Sequence, residues 1–321
     1  ILMEQQRATF SHVPVMVSEV CAAITPTDGE TYVDGTFGAG GFARAFLDAA
    51  ECRVFGIDRD PRAIERGRAL ESQYDGRLTL IEGRFSEMDG LLAAHGVDAV
   101  EGVALDLGVS SMQIDDPARG FSFMADGPLD MRMGGDGPTA ADVVNQEEES
   151  TLADIIYRFG EERRSRRIAH AIVDQRRESP IETTGRLAEI VARAVPPSRA
   201  RIHPATRTFQ ALRIYVNEEL GEGGELDQGL AAAERVLAPG GRLAVVSFHS
   251  LEDRAVKEFF RDRSAQANRN ANRHMPSNDA VGSATFEPAR PRKPSDEEIA
   301  RNPRARSARL RAGVRTPEAI Q

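Results

Sequence analysis

The sequence predicts an α/β fold, a largely parallel sheet with helices on both faces, interrupted by a helical insertion. Three observations carry that prediction. Short apolar strands alternate with helical patterns through the first third of the chain, as βαβ units require. A glycine-rich turn follows the first of those strands. Strand character then lapses after Asp106 and returns only at Arg242.

In chain order, Thr31–Asp34, Arg53–Asp58, Leu78–Ile81 and Gly102–Asp106 read as strands, with helices over Gly41–Ala50 and Pro61–Leu70. Right-handed crossovers put such helices on both faces of the sheet. Asp115 to Pro138 is rich in Gly, Asp, Pro and Met without a steady period, and reads as a long loop of the kind that often carries function. Leu152, Ile155, Ile156 and Phe159 then fall at helical spacing, as do Ala169, Ile172 and Val173, and Leu187, Ile190 and Val191. A further helix carries Phe209, Leu212, Val216 and Leu220 on one side. The turn signal Ala238-Pro239-Gly240-Gly241 precedes a strand over Arg242–Phe248, and Arg261 to Ala280 reads as a polar, mobile tail. The chain thus divides into a core of residues 1–114 and 206–321 and an inserted helical domain of residues 115–205.

Composition narrows the function classes. With 321 residues, 40% hydrophobic and 28% charged, the chain suits a soluble globular protein. No apolar run approaches the ~20 residues of a membrane span, and the first ten residues lack the basic patch and apolar core of a signal peptide. Cys21 and Cys52 form neither a disulfide framework nor a metal-site spacing, and no histidines pair at zinc-ligand spacing. A cytoplasmic protein without metal is the expectation. The net charge of −9 argues against a nucleic-acid partner until its distribution is read. Arg158 to Arg213 holds 13 arginines against 6 acids, and Thr285 to Gln321 holds 9 basic and 5 acidic residues. Local basic patches of this kind can hold phosphates on an acidic chain. Lys257 and Lys293 are the only lysines. Arginine suits bidentate phosphate contacts; a GC-rich genome would give the same preference, though not the clustering.

The chemistry begins where Thr31-Tyr32-Val33-Asp34 runs into Gly35-Thr36-Phe37-Gly38-Ala39-Gly40-Gly41. Strand, glycines and helix make a cofactor-binding turn, because glycine lets backbone approach a ligand closely. Asp58, at the end of the second strand, is placed to accept ribose hydroxyls. A dinucleotide would use similar geometry, but the G-x-G-x-x-G spacing is absent and Asp34 puts a negative charge where a pyrophosphate would sit. S-adenosylmethionine carries a sulfonium and an ammonium and no phosphate, so these carboxylates favour it. Phe85, after the third strand, suits either an adenine ring or the core. Asp106 ends the fourth strand, where ligands of open α/β sheets bind.

These residues belong to longer blocks. Asp34-Gly35-Thr36-Phe37-Gly38, Ile57-Asp58-Arg59-Asp60-Pro61, Leu105-Asp106-Leu107-Gly108-Val109-Ser110-Ser111, Gly127-Pro128-Leu129-Asp130-Met131-Arg132-Met133, the run His203 to Arg213, and Ser247-Phe248-His249-Ser250-Leu251-Glu252-Asp253-Arg254 occur in order. Through them the chain resembles, over nearly its whole length, the bacterial RsmH/MraW-type 16S ribosomal RNA cytosine-N4 methyltransferases. The resemblance implies a class I, Rossmann-like S-adenosylmethionine-dependent methyltransferase core with an inserted α-helical substrate-recognition domain. It implies cofactor contacts from Gly40, Gly41, Phe42, Asp58, Phe85, Asp106 and Gln113, and 16S ribosomal RNA, within the small ribosomal subunit, as partner. Two positions depart from the family pattern: Phe42 replaces a frequent histidine, and Met112 a frequent proline. A backbone contact survives the first change; a side-chain hydrogen bond does not.

For the reaction, the amino nitrogen of cytosine needs an acceptor for its protons, because its lone pair is delocalised into the ring. Asp106, a carbonyl of the Leu107–Gly108 turn, and Asp130 are the candidates. The Asp/Asn-Pro-Pro-aromatic run of other exocyclic-amine methyltransferases is missing, which disfavours a DNA substrate. Arg163, Arg164, Arg166, Arg167, Arg199, Arg201, Arg207 and Arg213 are the candidate phosphate contacts. His203 and His249 read as hydrogen-bonded structural histidines. Two other classes stay open on sequence: a nicotinamide or flavin oxidoreductase, which leaves the arginine-rich insertion unexplained, and a non-enzymatic RNA-binding protein, which leaves the intact acids unexplained.

Overall fold

The structure, a computed structural model, describes residues 14–195, 203–265 and 284–319. Seven strands form one sheet in the order β3-β2-β1-β4-β5-β7-β6. They are β1 (Thr31–Asp34), β2 (Arg53–Asp58), β3 (Leu78–Glu82), β4 (Val100–Asp106), β5 (Leu237–Ser247), β6 (Phe286–Pro288) and β7 (Arg309–Arg315). The first five are parallel; β7 runs antiparallel to β5 and β6 antiparallel to β7. The order reverses between β1 and β4, which opens a crevice at the strands' carboxyl ends.

Side-chain alternation assigns each strand two faces. Val33, Phe55, Leu105 and Val245 point to one, packed under α4 (Met88–Ala93), α11 (Glu225–Val236) and α12 (Ser250–Asp262). Tyr32, Val54, Leu80 and Ala244 point to the other, under α1 (Val17–Ile24), α2 (Gly41–Ala49) and α3 (Pro61–Glu71). Asp60 starts α3 by accepting from the Arg62 amide at 3.0 Å, with Pro61 in the first turn. The Pro-Gly-Gly signal at 239–241 was expected to precede the last parallel strand. Instead β5 passes through it as a bulge: Val100 pairs with Leu237 and Gly102 with Arg242, and Gly240 takes φ +84°.

The insertion is helical. Between β4 and α11 run α5 (Ser111–Asp115), α6 (Ala140–Gln146), α7 (Glu149–Gly160), α8 (Ser165–Glu178), α9 (Thr184–Ala194) and α10 (Ala205–Val216). The apolar positions read from the sequence at 152–156, 169–173 and 187–191 bury in one core, against which Phe159 packs partly buried and to which Leu129 and Met131 of the preceding loop contribute. That core corrects a boundary. Ala205, Phe209, Leu212 and Val216 bury against the insertion's helices, so the insertion ends near 216 rather than 205. Gly160 of α7 lets α10 approach: a Cβ there would lie 2.5 Å from the Arg207 carbonyl oxygen. Leu220 falls beyond α10, in the turn that follows Asn217 and Glu218, the latter at φ +53°.

The irregular stretch 116–138 holds a short 3-10 turn, Pro117–Arg119, and an isolated bridge from Pro128 to Thr183. Asn217 ties it to α10, donating to the Met131 carbonyl and accepting from the Met133 amide, each at 2.8 Å. No helix among the described residues is long and apolar enough to cross a membrane.

Candidate active site

Three carboxylates end β1, β2 and β4: Asp34, Asp58 and Asp106. All line a cavity of about 520 Å³ in the crevice. Asp34 is buried and accepts from the amides of Ala43 at 3.0 Å and Thr36 at 3.4 Å, which anchors the glycine turn. Burial, reinforced by Asp58, pushes its carboxyl up to about 7. Asp58 accepts from the Gly38 amide at 2.7 Å and the Asp60 amide at 2.8 Å, and burial raises it to about 6. Asp106 differs. Its amide donates to Thr36 Oγ1 at 2.6 Å, but Oδ1 is buried with no hydrogen-bond partner among the described residues. Burial first, then Asp34 and Glu252, hold its carboxyl well above the usual range.

Gly41, Phe42, Phe85 and Gln113 also face the cavity. Gly41 is required by Pro14, whose ring would lie 2.4 Å from a Cβ. Gly40 stands behind the wall: it caps α2 at φ +75°, and a Cβ there would strike Leu70 and the Phe37 ring. The Phe42 ring is buried on Phe46, with centroids 6.4 Å apart, so position 42 offers backbone rather than a polar side chain. Phe85 shows its ring to the cavity while its other side rests on α11, where a Cβ at Gly229 would stand 2.2 Å from it. The Gln113 amide is committed: Oε1 accepts from the Ser110 amide and Nε2 donates to Asp60 Oδ2, both at 3.0 Å. It fixes Asp60, which also pairs with Arg119 at 2.6 Å. Burial would raise the Asp60 carboxyl; Arg119 and Gln113 override it and hold it low.

Two expectations are corrected. Asp130 does not line the cavity; its carboxylate is occupied by Arg132, at 2.8 Å from Nε and 3.0 Å from Nη2, which keeps it ionised in spite of partial burial. Arg213 is not on an open surface for phosphates. It lines the cavity, its side chain 13% exposed, in a two-pronged pair with Glu219 at 3.0 Å for both bonds. Its Nη2 also stands 3.6 Å from Glu252, which His249 Nε2 contacts at 2.8 Å. Burial alone would raise the Glu252 carboxyl; His249 and Arg213 bring it below its ordinary value. This grouping of Arg213, Glu219 and Glu252 on the cavity wall, with His249 against Glu252, was missed, although two of the quoted blocks contain three of its members; Glu219 lies in neither. His203 accepts from the Ala205 amide at 3.2 Å and packs on Phe123.

The other arginines divide. Arg163, Arg164, Arg166 and Arg167 are exposed and line a surface hollow with Tyr157 at the start of α8. Arg207 is half exposed and 3.6 Å from Glu162. Arg199 and Arg201 lie outside the described residues.

The cavity fits S-adenosylmethionine. Asp58 suits ribose hydroxyls, Phe85 an apolar ring face, and Asp34 and Asp106 a cationic group. The orphaned Oδ1 of Asp106 is the kind of buried polar atom a ligand completes. No cluster of three metal-ligating side chains occurs among the described residues.

The chain is similar over most of its length to known proteins. A protein of Paramagnetospirillum magneticum named "Ribosomal RNA small subunit methyltransferase H" is 58% identical over 308 residues, covering 95% of this chain and 96% of that one. One of the same name from Rhodospirillum centenum is 60% identical over 312 residues, covering 95% and 92%. A solved rRNA methylase from Streptococcus thermophilus aligns at a TM-score of 0.39 and 11% identity over 94% of this chain and 93% of that one, a likeness too slight to build on. The sequence pattern of the MraW methylase family matches residues 9–316, which sets the nicotinamide reading aside: the chain belongs to the MraW methylase family.

Proposed function

We propose that this chain, in the cytoplasm, methylates the N4 amino group of a cytidine in the 16S RNA of the small ribosomal subunit. The names of its relatives support a small-subunit RNA substrate. The observation that carries the chemistry is the unpartnered Oδ1 of Asp106 at the carboxyl end of β4.

S-adenosylmethionine, when bound, supplies an electrophilic methyl group on a sulfonium. The chain's own contribution is alignment, acceptance of a proton and exclusion of water. Holding two reactants in line can supply about 7–11 kcal/mol in the best cases, and the crevice between β1 and β4 is the rigid frame for it. Asp106 Oδ1 accepts an amino N–H and localises the nitrogen lone pair, then takes the proton that the alkylated nitrogen releases. For that task the Asp106 carboxyl would have to be ionised, which a cationic group held beside it would favour. Arg213 Nη1 makes none of the Glu219 bonds and stands 3.8 Å from a Cβ position at Gly108, two residues past Asp106. From there it donates to a pyrimidine carbonyl.

The base must leave its stack to reach this depth. The insertion, residues 115 to about 216, holds the RNA around it, with Arg163, Arg164, Arg166, Arg167 and Arg207 on phosphates. The test is methylation of small subunits from cells lacking the protein, followed by mass mapping of the labelled nucleotide. One N4-methylated cytidine in 16S RNA is expected. Label on a ring carbon, on another base type, or on no RNA overturns the proposal.

A further inference from the structure

A second basic surface borders the cavity, on the core. From Ile299 to Thr316 the chain holds six arginines and no acid, in a molecule whose net charge is −9. The structure sorts these arginines. Arg315 is buried and donates to the Thr285 and Thr316 carbonyls. Arg301 donates to the Glu297 carbonyl at 3.4 Å. Arg304 pairs with Asp115 at 2.7 Å, and Arg311 with Asp253 through two bonds at 2.7 and 3.0 Å. Arg306 and Arg309 are exposed and have no ion pair among the described residues. The same holds for Arg292.

Strand register fixes where these three stand. Asp106 of β4 is level with Val246 of β5, whose next residue Ser247 is level with Arg309 of β7. Arg292 bridges to Leu310, so it lies at the same level on the far side of β7. The arginines therefore extend the row of strand ends to which Asp106 belongs. At the usual strand spacing, Arg309 is about 10 Å and Arg292 about 14 Å from Asp106 along that row. Arg306 sits beside Ser307 and Arg304, which line the cavity. Unpaired arginines beside an opening lower the electrostatic energy of a polyanion laid across it, whereas Arg304 and Arg311 are already neutralised by acids.

We infer that Arg292, Arg306 and Arg309 form an RNA-binding rim on the methyltransferase core, contacting the phosphates that flank the target nucleotide. The insertion's patch is the second contact surface for the same strand. The inference rests on the reading that the substrate is RNA.

The experiment measures binding of small ribosomal subunits at increasing KCl, for the full chain and for two variants. One carries Arg292→Gln, Arg306→Gln and Arg309→Gln; the other carries Gln at 163, 164, 166 and 167. Each single-strand phosphate contact contributes about 0.7 to the slope of log affinity against log salt. The rim variant should lose about 2 from that slope, so that between 50 and 200 mM KCl its affinity falls roughly 20-fold less than that of the parent. Lysine at the same three positions should restore the slope, and S-adenosylmethionine should bind the Gln variant as it binds the parent, which verifies the fold. A parental slope in the rim variant together with a reduced slope in the insertion variant overturns the rim alone. Parental slopes in both overturn the RNA reading itself.

Discussion

Asp34 and Asp58 have each carboxylate oxygen answered by a backbone amide, while Asp106 has one oxygen that no donor reaches among the described residues. The difference is the ground on which Asp106, rather than Asp34 or Asp58, is proposed as the proton acceptor. Asp106→Asn keeps the shape and removes the proton acceptor. It should lower kcat by about 10²–10⁴-fold, the usual worth of a positioned base, with the dissociation constant for S-adenosylmethionine changed by no more than a few-fold. Equal losses, read by single-turnover kinetics beside calorimetric titration, would make Asp106 only a binding residue. Asp106 and Asp58 were legible because a strand end fixes where a side chain stands. Arg213 was not: its partner Glu219 lies past the end of α10, and only the turn at Asn217 and Glu218 brings the two together. Asp130 was misread for a matching reason, since nothing in a run of Gly, Pro and Asp reveals that Arg132 folds back onto it.

Among the elements, β1 to β5 and the central helices of the insertion were readable from periodicity, while β6, β7, boundaries and partners were not. The spacing of Phe209, Leu212 and Val216 announces an apolar face but not which core will cover it, so α10 was given to the wrong one. Helix α11 was overlooked although Leu226, Leu230, Ala233 and Val236 keep helical spacing. Its Gly229 has a use that helix propensity cannot show, because the missing Cβ is where Phe85 rests. Gly229→Ala should stabilise an isolated helix by about 1 kcal/mol, yet here it must displace the Phe85 ring. The expected result is a folded protein whose affinity for S-adenosylmethionine drops about tenfold, measured by calorimetry; unchanged affinity would remove Phe85 from the cofactor site.

At the scale of the molecule, the ends of β1, β2 and β4 concentrate buried acids whose protonation the fold favours. A carboxyl raised in the folded state contributes stability that is complete below its unfolded value near 4 and is lost as pH rises through its folded value. For Asp34 and Asp58 that loss runs through about 7 and about 6. The ligand-free protein should therefore melt higher at pH 5.5 than at pH 8, on the order of 2–4 °C for each kcal/mol of linkage. Saturating S-adenosylmethionine should flatten the dependence, because its cationic groups take over the work of the bound protons. Scanning calorimetry across that range, with and without the cofactor, is the check; a steeper dependence with cofactor would show that no cation sits near these acids.

Pro14 and Val15 line one side of the cavity and Asn302, Arg304 and Ser307 another, and the Met16 amide donates to Glu298 Oε1 at 2.6 Å. Segments almost three hundred positions apart in sequence thus clasp the same opening. During synthesis the first segment waits for the second, so the vestibule stays unfinished while the residues between them are made. Competence to hold a ligand waits on the second of the two segments, whose arrival fastens the clasp.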